Sequence, residues 1–421
     1  MIKKIKIYIT LAAVAFSSVS CLDKYPEDAI PEGDAIRTVE EANQAVIGIY
    51  AYMKNPNLYS GLLTLLPDLQ ADLAYAVEGY TNTYGNIWRW DILPTNTEVE
   101  AVYGTLNALI GKCNFLLERI AVLEQEVDDE DYEKLQQFKG EALFARALSY
   151  SDLIKMYCKA YDPATAADEL GVVLVSSYSN AGTLKRASLK DSYQFVLDDL
   201  AQSATCLKPD ENENDESYYD TPYFTIYAVN ALYARVYLNM QEWDKAIEYA
   251  SKVIDSRKFK LSSTTEMIDS ETSYYQYMWQ YDHSTETIWK VGFTTTSYGG
   301  SLGQIFFNYD FNSFKPDYVP AEWVLNLYAD TDLRATTFFQ FYRTGYEHGL
   351  QWPLLAKYFG NQEFYEQNIL HVTMPKVFRL SEQYLIRAEA YCQKSNPEYG
   401  KGANDLTTLR QARYSNYGSA S

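Results

Sequence analysis

The sequence has few histidines and no paired-cysteine motif. Three histidines occur in 421 residues, and none stands in the H-E-x-x-H arrangement by which many zinc hydrolases bind their metal. The four cysteines after residue 21, at positions 113, 158, 206 and 392, form no C-x-x-C pair. All four fall in stretches of helical periodicity, where a thiol behaves as a small apolar residue. We therefore predict core thiols without a disulfide framework, although spacing leaves one bridge between distant positions open, and we predict no metal and no cofactor.

Basic residues are also scarce. Lys and Arg number 36 against 56 Asp and Glu, which gives a formal net charge of −20. Nucleic-acid binding depends on Lys and Arg that displace counterions from phosphates, so this balance argues against a nucleic-acid partner. It argues equally against electrostatic adsorption to an anionic lipid surface.

The N-terminal apolar stretch is too short to cross a bilayer, which takes about 20 residues. Residues 1–20 instead have the three parts of a secretory signal: a basic start, a short apolar stretch, and small residues before Cys21. A cysteine at the cleavage point predicts a bacterial lipoprotein whose Cys21 is lipidated. We expect an exported, lipid-anchored protein; an ordinary signal peptide with a chance cysteine is the alternative.

Aromatic side chains, by contrast, are abundant. The chain has 39 Tyr, 18 Phe and 7 Trp, together 15% of its residues. Tyrosine combines an apolar face with a polar tip, which suits a surface that binds sugar rings. The composition favours carbohydrate binding, although most tyrosines are expected to pack against helices.

A short motif repeats along the chain. Residues 142–146 (ALFAR) recur at 231–235 (ALYAR) and, more loosely, within 384–390. The middle copy continues with Trp243 and Ala246, where a tetratricopeptide helix pair has aromatic and small residues. Because such pairs cannot bury their apolar faces alone, several must stack. We predict a mainly α fold, a tetratricopeptide-like scaffold made by segments near 100–160, 188–256 and 380–415.

Two segments lack helical periodicity. Residues 258–374 are rich in Gly, Thr, Tyr and Asn, which predicts a loop-rich insertion with one strand at 286–291. A second irregular segment covers residues 72–102. Long ordered loops usually exist for function. The predicted organisation is a signal peptide (1–20), a tether (21–37) and one domain (38–421).

These features together resemble the SusD/RagB family, outer-membrane nutrient-binding lipoproteins of Bacteroidetes. The resemblance rests on the order of several motifs, at residues 21–24, 140–147, 193–200, 231–238, 243–246, 330–334, 384–390 and 406–413. Family chains continue past the last of these helices with a further motif-bearing segment that this sequence does not contain. We therefore expect the family's C-terminal segment to be missing here.

The resemblance implies a function. Family members bind glycans or other nutrients at the cell surface, cover a TonB-dependent transporter of the SusC type, and are not enzymes. Their fold has four tetratricopeptide-like helix pairs, with inserted loops that form the ligand site. The implied protein is a surface-exposed, lipid-anchored outer-membrane lipoprotein that delivers oligosaccharide to a SusC-like partner.

The candidate ligand-binding residues come from the two irregular segments. If these segments meet, their rings could form a platform for sugar rings, with acidic and amide side chains contacting hydroxyls. For each ring taken singly, core packing is an equal alternative, and Trp289 is expected in the core. The predicted contact residues are Asp72, Tyr80, Tyr84, Trp88, Trp90, Tyr275, Trp279 and Tyr298.

Two other functions remain as alternatives. A scaffold could bind other proteins through its repeats without a ligand site of its own. A secreted glycoside hydrolase would need two carboxylates held across a cleft. Residues 299–303 fit G-x-S-x-G, but a nucleophile elbow needs a following helix, and residues 304–309 do not predict one. We therefore expect a flexible loop there and no catalytic residue.

Overall fold

The computed structural model describes residues 35–77, 83–178, 184–208, 220–346, 349–415 and 417. Cys21 and Tyr80 lie outside the described residues. Within these ranges nine long helices form the scaffold: α1 (Val39–Tyr52), α2 (Leu62–Gln70), α4 (Thr97–Leu123), α5 (Asp129–Tyr157), α6 (Leu189–Cys206), α7 (Ile226–Asn239), α8 (Trp243–Ile254), α14 (Leu380–Gln393) and α15 (Tyr399–Arg413).

Short elements make up the rest of the described chain. The short helices are α3 (Gly85–Trp88), α9 (Tyr274–Gln280), α10 (Gln304–Phe307), α11 (Glu322–Leu325), α12 (Arg334–Phe338), α13 (Gln362–Tyr365) and the 3₁₀ turn Ala356–Tyr358. The strands are β1 (Ala74–Ala76), β2 (Leu170–Val173), β3 (Arg186–Ser188), β4 (Thr287–Lys290), β5 (Tyr318–Pro320), β6 (Phe339–Gln340), β7 (Leu354–Leu355) and β8 (Lys376–Arg379).

Four of the long helices in the described ranges, α1, α5, α6 and α7, begin at a side chain that caps them. Thr38 accepts a hydrogen bond from the Glu41 backbone N–H, and the Glu41 carboxylate accepts one from the Thr38 N–H. Ser188 accepts from the Asp191 N–H at the start of α6. Each cap satisfies a backbone donor that has no partner within the helix.

The scaffold is a succession of helices that pack against one another. Helix α5 packs against α4 and α6, while α8 packs against α7 and α14, and α14 packs against α15. In α7 and α8 the small residues Ala234, Ala246 and Ala250 are fully buried, which lets the two helices approach closely. The mainly helical fold class predicted from the repeats is confirmed.

The arginine of each repeated motif joins two helices. Arg146 of α5 donates through Nε and Nη2 to Asp199 of α6, at 2.8 and 2.7 Å. Arg235 of α7 binds Glu382 of α14 in the same way, at 2.6 and 2.8 Å. In the third copy Arg387 of α14 binds Asp405 of α15, at 2.9 and 2.7 Å. The repeat therefore encodes a bidentate inter-helix ion pair, which we call the arginine clamp.

The predicted insertion contains short helices and two-stranded sheets instead of long regular elements. Strand β4 lies at the predicted position and pairs with β8, and β6 pairs with β7. Trp289 of β4 is fully buried, as predicted, with its ring 4.9 Å from Phe224 and 6.3 Å from Phe378. This aromatic contact fastens the insertion to the scaffold.

The expectation of no helix after residue 303 is wrong. Residues Gln304–Phe307 form the single turn α10, whose Ile305, Phe306 and Phe307 are buried together with Leu302 and Tyr318. Burial of three consecutive apolar side chains stabilises a turn that has no periodic signal of its own. No helix among the described residues combines the length and apolar character that a membrane span requires.

Candidate functional site

The two irregular segments meet through a small antiparallel sheet. Strand β1 pairs with β5, with Ala74 opposite Pro320 and Ala76 opposite Tyr318. Beyond the paired residues, the Thr83 N–H donates to Asp317 Oδ2 at 3.1 Å, and the Tyr318 hydroxyl donates to the Thr83 carbonyl at 2.8 Å. The condition for a shared site, that the two segments meet, is therefore fulfilled.

A cavity of about 290 Å³ lies at this junction, and we call it the inter-loop cavity. Hydroxyl, amide and carboxylate side chains dominate its lining, together with one aromatic ring. The lining residues are Pro56, Ser60, Gly61, Leu65, Thr83, Tyr84, Gly300, Ser301, Gln304, Ile305, Asn308 and Asp317.

The glycine loop that borders this cavity is tightly packed. The Gly300 N–H donates to Ser60 Oγ at 2.9 Å, and a Cβ at Gly300 would lie 2.8 Å from the Ser60 carbonyl oxygen. A Cβ at Gly303 would lie 1.8 Å from the Tyr358 carbonyl oxygen. Both positions therefore require glycine because the backbone of the loop runs against neighbouring backbone. Its immobilisation fixes one wall of the cavity.

Two lining residues adopt left-handed backbone conformations. Tyr84 has φ of 63° and Asn308 has φ of 43°. Such conformations are unfavourable for residues other than glycine and persist only where the surrounding contacts hold them, often at binding sites. Gln304 Nε2 donates to Asn308 Oδ1 at 2.9 Å, which holds the two amides side by side.

Tyr84 is the predicted contact residue that lines the inter-loop cavity. Its ring is half-buried, and burial, together with the nearby Glu98, raises the pKa of its hydroxyl. The phenol therefore stays neutral at physiological pH and can donate a hydrogen bond. Tyr298 is 46% exposed and stands two residues before Gly300, which lines the cavity.

Three further predicted residues lie near the junction but outside the cavity lining. The Trp88 indole donates to the Ala74 carbonyl at 2.8 Å, which fastens α3 to β1. Trp90 is 62% exposed. The exposed Asp72 accepts, at its backbone carbonyl, a hydrogen bond of 3.0 Å from the Trp323 indole. Trp88 thus supports the junction, while Asp72 and Trp90 lie on its surface.

The structure places Tyr275 and Trp279 away from any exposed platform. They are 2% and 8% exposed, and their rings pack against Phe338 of α12. Trp279 borders a different and larger cavity of about 520 Å³ between the scaffold and the insertion, which we call the central cavity. The two cavities share no lining residue.

Sequence reasoning missed the polar lining of the inter-loop cavity. Thr83, Gln304, Asn308 and Asp317 are isolated polar residues, and no motif marks them. The signal available was the run of glycines at 299–303, since glycine is required where backbone approaches backbone. Among the described residues, no cluster of three or more His, Cys, Asp or Glu could hold a metal ion.

Comparison with known proteins identifies the family. Residues 22–238 match the SusD-like family described as starch-binding and associating with the outer membrane. SusD-like protein P2 from Formosa agariphila is 23% identical over 257 residues, which cover 60% of this chain and 46% of that protein. The chain thus matches about half the length of this curated relative.

Solved structures show the same fold. A SusD superfamily protein from Bacteroides thetaiotaomicron has a TM-score of 0.74 at 22% identity, covering 90% of this chain and 81% of its own. Surface glycan-binding protein A from Bacteroides uniformis has a TM-score of 0.69 at 17% identity, covering 90% and 81%. Because the family match accounts for more than half of the sequence and the fold agrees, the chain belongs to the SusD-like family of outer-membrane, starch-binding proteins.

Proposed function

We propose that this protein holds an oligosaccharide in the inter-loop cavity at the cell surface and delivers it to a SusC-like TonB-dependent transporter. The observation that carries the proposal is a cavity lined by hydroxyl and amide groups beside a half-buried tyrosine ring, in a chain of a glycan-binding family. The protein acts in this proposal as a binding protein and not as an enzyme.

The chemistry of the lining suits a sugar. Each hydroxyl of a sugar both donates and accepts hydrogen bonds, and so do the side chains of Thr83, Ser301, Gln304 and Asn308. The hydrogen bond between Gln304 and Asn308 uses one donor and one acceptor, so each amide retains capacity for a ligand. The ring of Tyr84 offers an apolar face to sugar C–H groups.

The size of the cavity limits how much of a glycan it holds. At about 290 Å³ it lies at the lower end of the range for small-molecule sites. The cavity therefore takes one end of a chain, while the remaining sugar units extend along the surface. The exposed rings of Tyr298 and Trp90 are the proposed outer contacts.

Titration calorimetry against a panel of neutral oligosaccharides tests this proposal. We expect at least one member to bind, and we expect Tyr84→Ala and Gln304→Ala each to weaken it by about two- to tenfold through loss of one ring contact or one hydrogen bond. Tyr399→Ala, which removes an exposed ring on α15, serves as the matched control and should change nothing. If no oligosaccharide in a broad panel binds, the glycan part of the proposal is overturned.

The anchor and the partner need separate experiments. Lipid on Cys21 would give stable attachment because two or more acyl chains hold a protein at a membrane. Cys21→Ala should release the protein from the outer-membrane fraction, and affinity purification of the wild type should recover a TonB-dependent transporter. If the protein is a scaffold without its own ligand, purification should recover the transporter, but no sugar should bind in the titrations. If it is a hydrolase, it should release reducing sugar, which we do not expect.

A further inference from the structure

The central cavity is lined by an excess of positive charge. Its walls come from α2, the end of α5, α7, the 3₁₀ turn and β8, and they contain five basic and three acidic side chains. This is unusual in a chain with a net charge of −20. The basic residues are Lys155, Arg235, Lys357, Lys376 and Arg379, and the acidic residues are Asp68, Asp152 and Glu382.

Most of the buried charged groups in this wall have a close polar partner. Arg235 forms its clamp with Glu382. Lys376 Nζ lies 2.5 Å from Asp282 Oδ1, and Arg379 Nη1 lies 3.2 Å from Glu286 Oε1. Asp152 accepts a hydrogen bond of 2.5 Å from the Tyr59 hydroxyl. These contacts hold the wall together, and Glu286 is shared with Arg413 at 2.6 Å.

Lys357 differs from the other buried cations. Its Nζ lies 4.8 Å from the ring centres of both Trp279 and Tyr358, and 5.5 Å from that of Phe338. Within the described part of the chain no carboxylate forms an ion pair with it, and Asp68 acts on it only from a longer distance. Its half-buried ammonium is thus held by ring faces, which attract a cation more weakly than a paired carboxylate does.

The pKa of Lys357 reflects the free-energy cost of burying its ammonium without a paired carboxylate. The pKa of Lys357 is lowered to about 8, chiefly by burial; Asp68 opposes this shift, and the cationic Arg379 and Lys376 contribute to it. A cation that is desolvated without a close partner gains more from an arriving anion than an exposed lysine would. The cavity leaves room for such an anion.

We propose that the central cavity binds a small organic monoanion, with the carboxylate of the ligand paired to Lys357. Lys357 offers one partly buried ammonium without a close carboxylate, whereas Lys155, the other lining lysine that forms no ion pair among the described residues, is exposed. The neighbouring Asp68, Asp152 and Glu382 disfavour a more highly charged ligand. Leu63, Met156 and Leu302 line the same cavity and accommodate an apolar body. This site is separate from the inter-loop cavity and does not depend on the glycan proposal.

Titration of the full chain with three probes tests the inference: glucuronate, hexanoate and glucose. We expect at least one carboxylate to bind the wild type, and the two arms distinguish a sugar acid from an apolar acid. Lys357→Met should weaken that binding by about tenfold or more, because a charge-assisted hydrogen bond is lost. Lys190→Met removes an exposed lysine that does not line the cavity, makes the same change in net charge, and should leave binding unchanged.

A pH series separates a direct role of Lys357 from a loss of structure. The charged groups that face it are Asp68 from α2, and Lys376 and Arg379 from β8. Wild-type affinity for the carboxylate should fall as the pH rises from 7 to 9.5, since Lys357 loses its proton, while Lys357→Arg should bind with little change over that range. Binding of neither carboxylate, or equal binding by wild type and Lys357→Met, would overturn the inference whatever the outcome of the neutral-sugar panel.

Discussion

Lys357 couples the stability of the fold to pH. Its ordinary pKa of 10.5 is lowered to about 8 by burial, so between these values the folded protein binds fewer protons than the unfolded chain. Stability contributed by this residue therefore rises with pH across that window, and its burial is unfavourable at neutral pH. We predict that Lys357→Met is more stable than the wild type by about 1–2 kcal/mol at pH 7, after allowance for its partial exposure.

Urea denaturation at pH 7 and pH 10 measures this effect. The gap between Lys357→Met and the wild type should shrink at pH 10, where the lysine is neutral in the folded state. The many buried tyrosines titrate in both proteins and cancel in the difference. If the stability difference is the same at pH 7 and pH 10, the titration of Lys357 does not cause the predicted pH dependence.

The structure does not bring all the predicted contact residues to one place, for a physical reason. Tyr84 lines the inter-loop cavity, whereas Tyr275 is buried against Phe338. An aromatic ring gains free energy in a core as readily as against a sugar, and its sequence neighbours do not distinguish the two. The partner that buries Tyr275 lies 63 positions further along the chain, which local patterns do not reveal.

The arginine clamps join pairs of helices in the scaffold. Arg146 and Asp199 are both buried, and Arg146 also donates to Asn114 Oδ1 at 2.7 Å. We predict that Arg146→Met destabilises the protein by about 3–5 kcal/mol, because Asp199 is left as an unpaired buried charge. Chemical denaturation measures the loss.

The double variant Arg146→Met/Asp199→Leu is the informative companion. It removes both charges, so it should recover most of the stability that the single variant loses. The exposed pair of Lys134 and Glu130 serves as the control, and Lys134→Met should change stability by less than about 1 kcal/mol. If Arg146→Met changes stability as little as Lys134→Met does, the stabilising role of the clamp is contradicted.

Two glycines, Gly303 in the loop and Gly48 in α1, differ in the space around them. Gly303→Ala would place a Cβ 1.8 Å from the Tyr358 carbonyl oxygen, so we expect a loss of about 1–3 kcal/mol and weaker sugar binding as the loop shifts. Gly48 of α1 has no atom within 4 Å of an added Cβ. Gly48→Ala should therefore stabilise the helix by about 0.5–1 kcal/mol. Thermal unfolding and sugar titration of the two variants check these expectations. If Gly303→Ala and Gly48→Ala change stability equally, the tight packing described for the loop is contradicted.

Elements were more predictable than their partners. The repeated motif and its helical periodicity predicted the scaffold segments near 100–160, 188–256 and 380–415, because these signals are local. The turn α10 was missed since its stability comes from burial of Ile305 to Phe307 and not from its own pattern. The partners of the clamps were equally hidden: Arg146, Arg235 and Arg387 find their carboxylates 53, 147 and 18 positions away.

At the scale of the whole molecule, a helical scaffold brings two irregular segments together. Strands β1 and β5 join residues more than 240 positions apart, and the inter-loop cavity exists only where they meet. The repeats and the irregular composition were visible in the sequence, and they led to the correct fold class. The cavity itself was not visible in the sequence, because tertiary contacts define a site between distant segments.

The most direct test of the account is a crystal structure of the protein soaked with the neutral oligosaccharide that binds most tightly in the panel. We predict electron density for one sugar unit inside the inter-loop cavity, within hydrogen-bonding distance of Gln304 or Asn308 and against the ring of Tyr84. A sugar bound elsewhere on the molecule, with this cavity free of it, would contradict the proposed site.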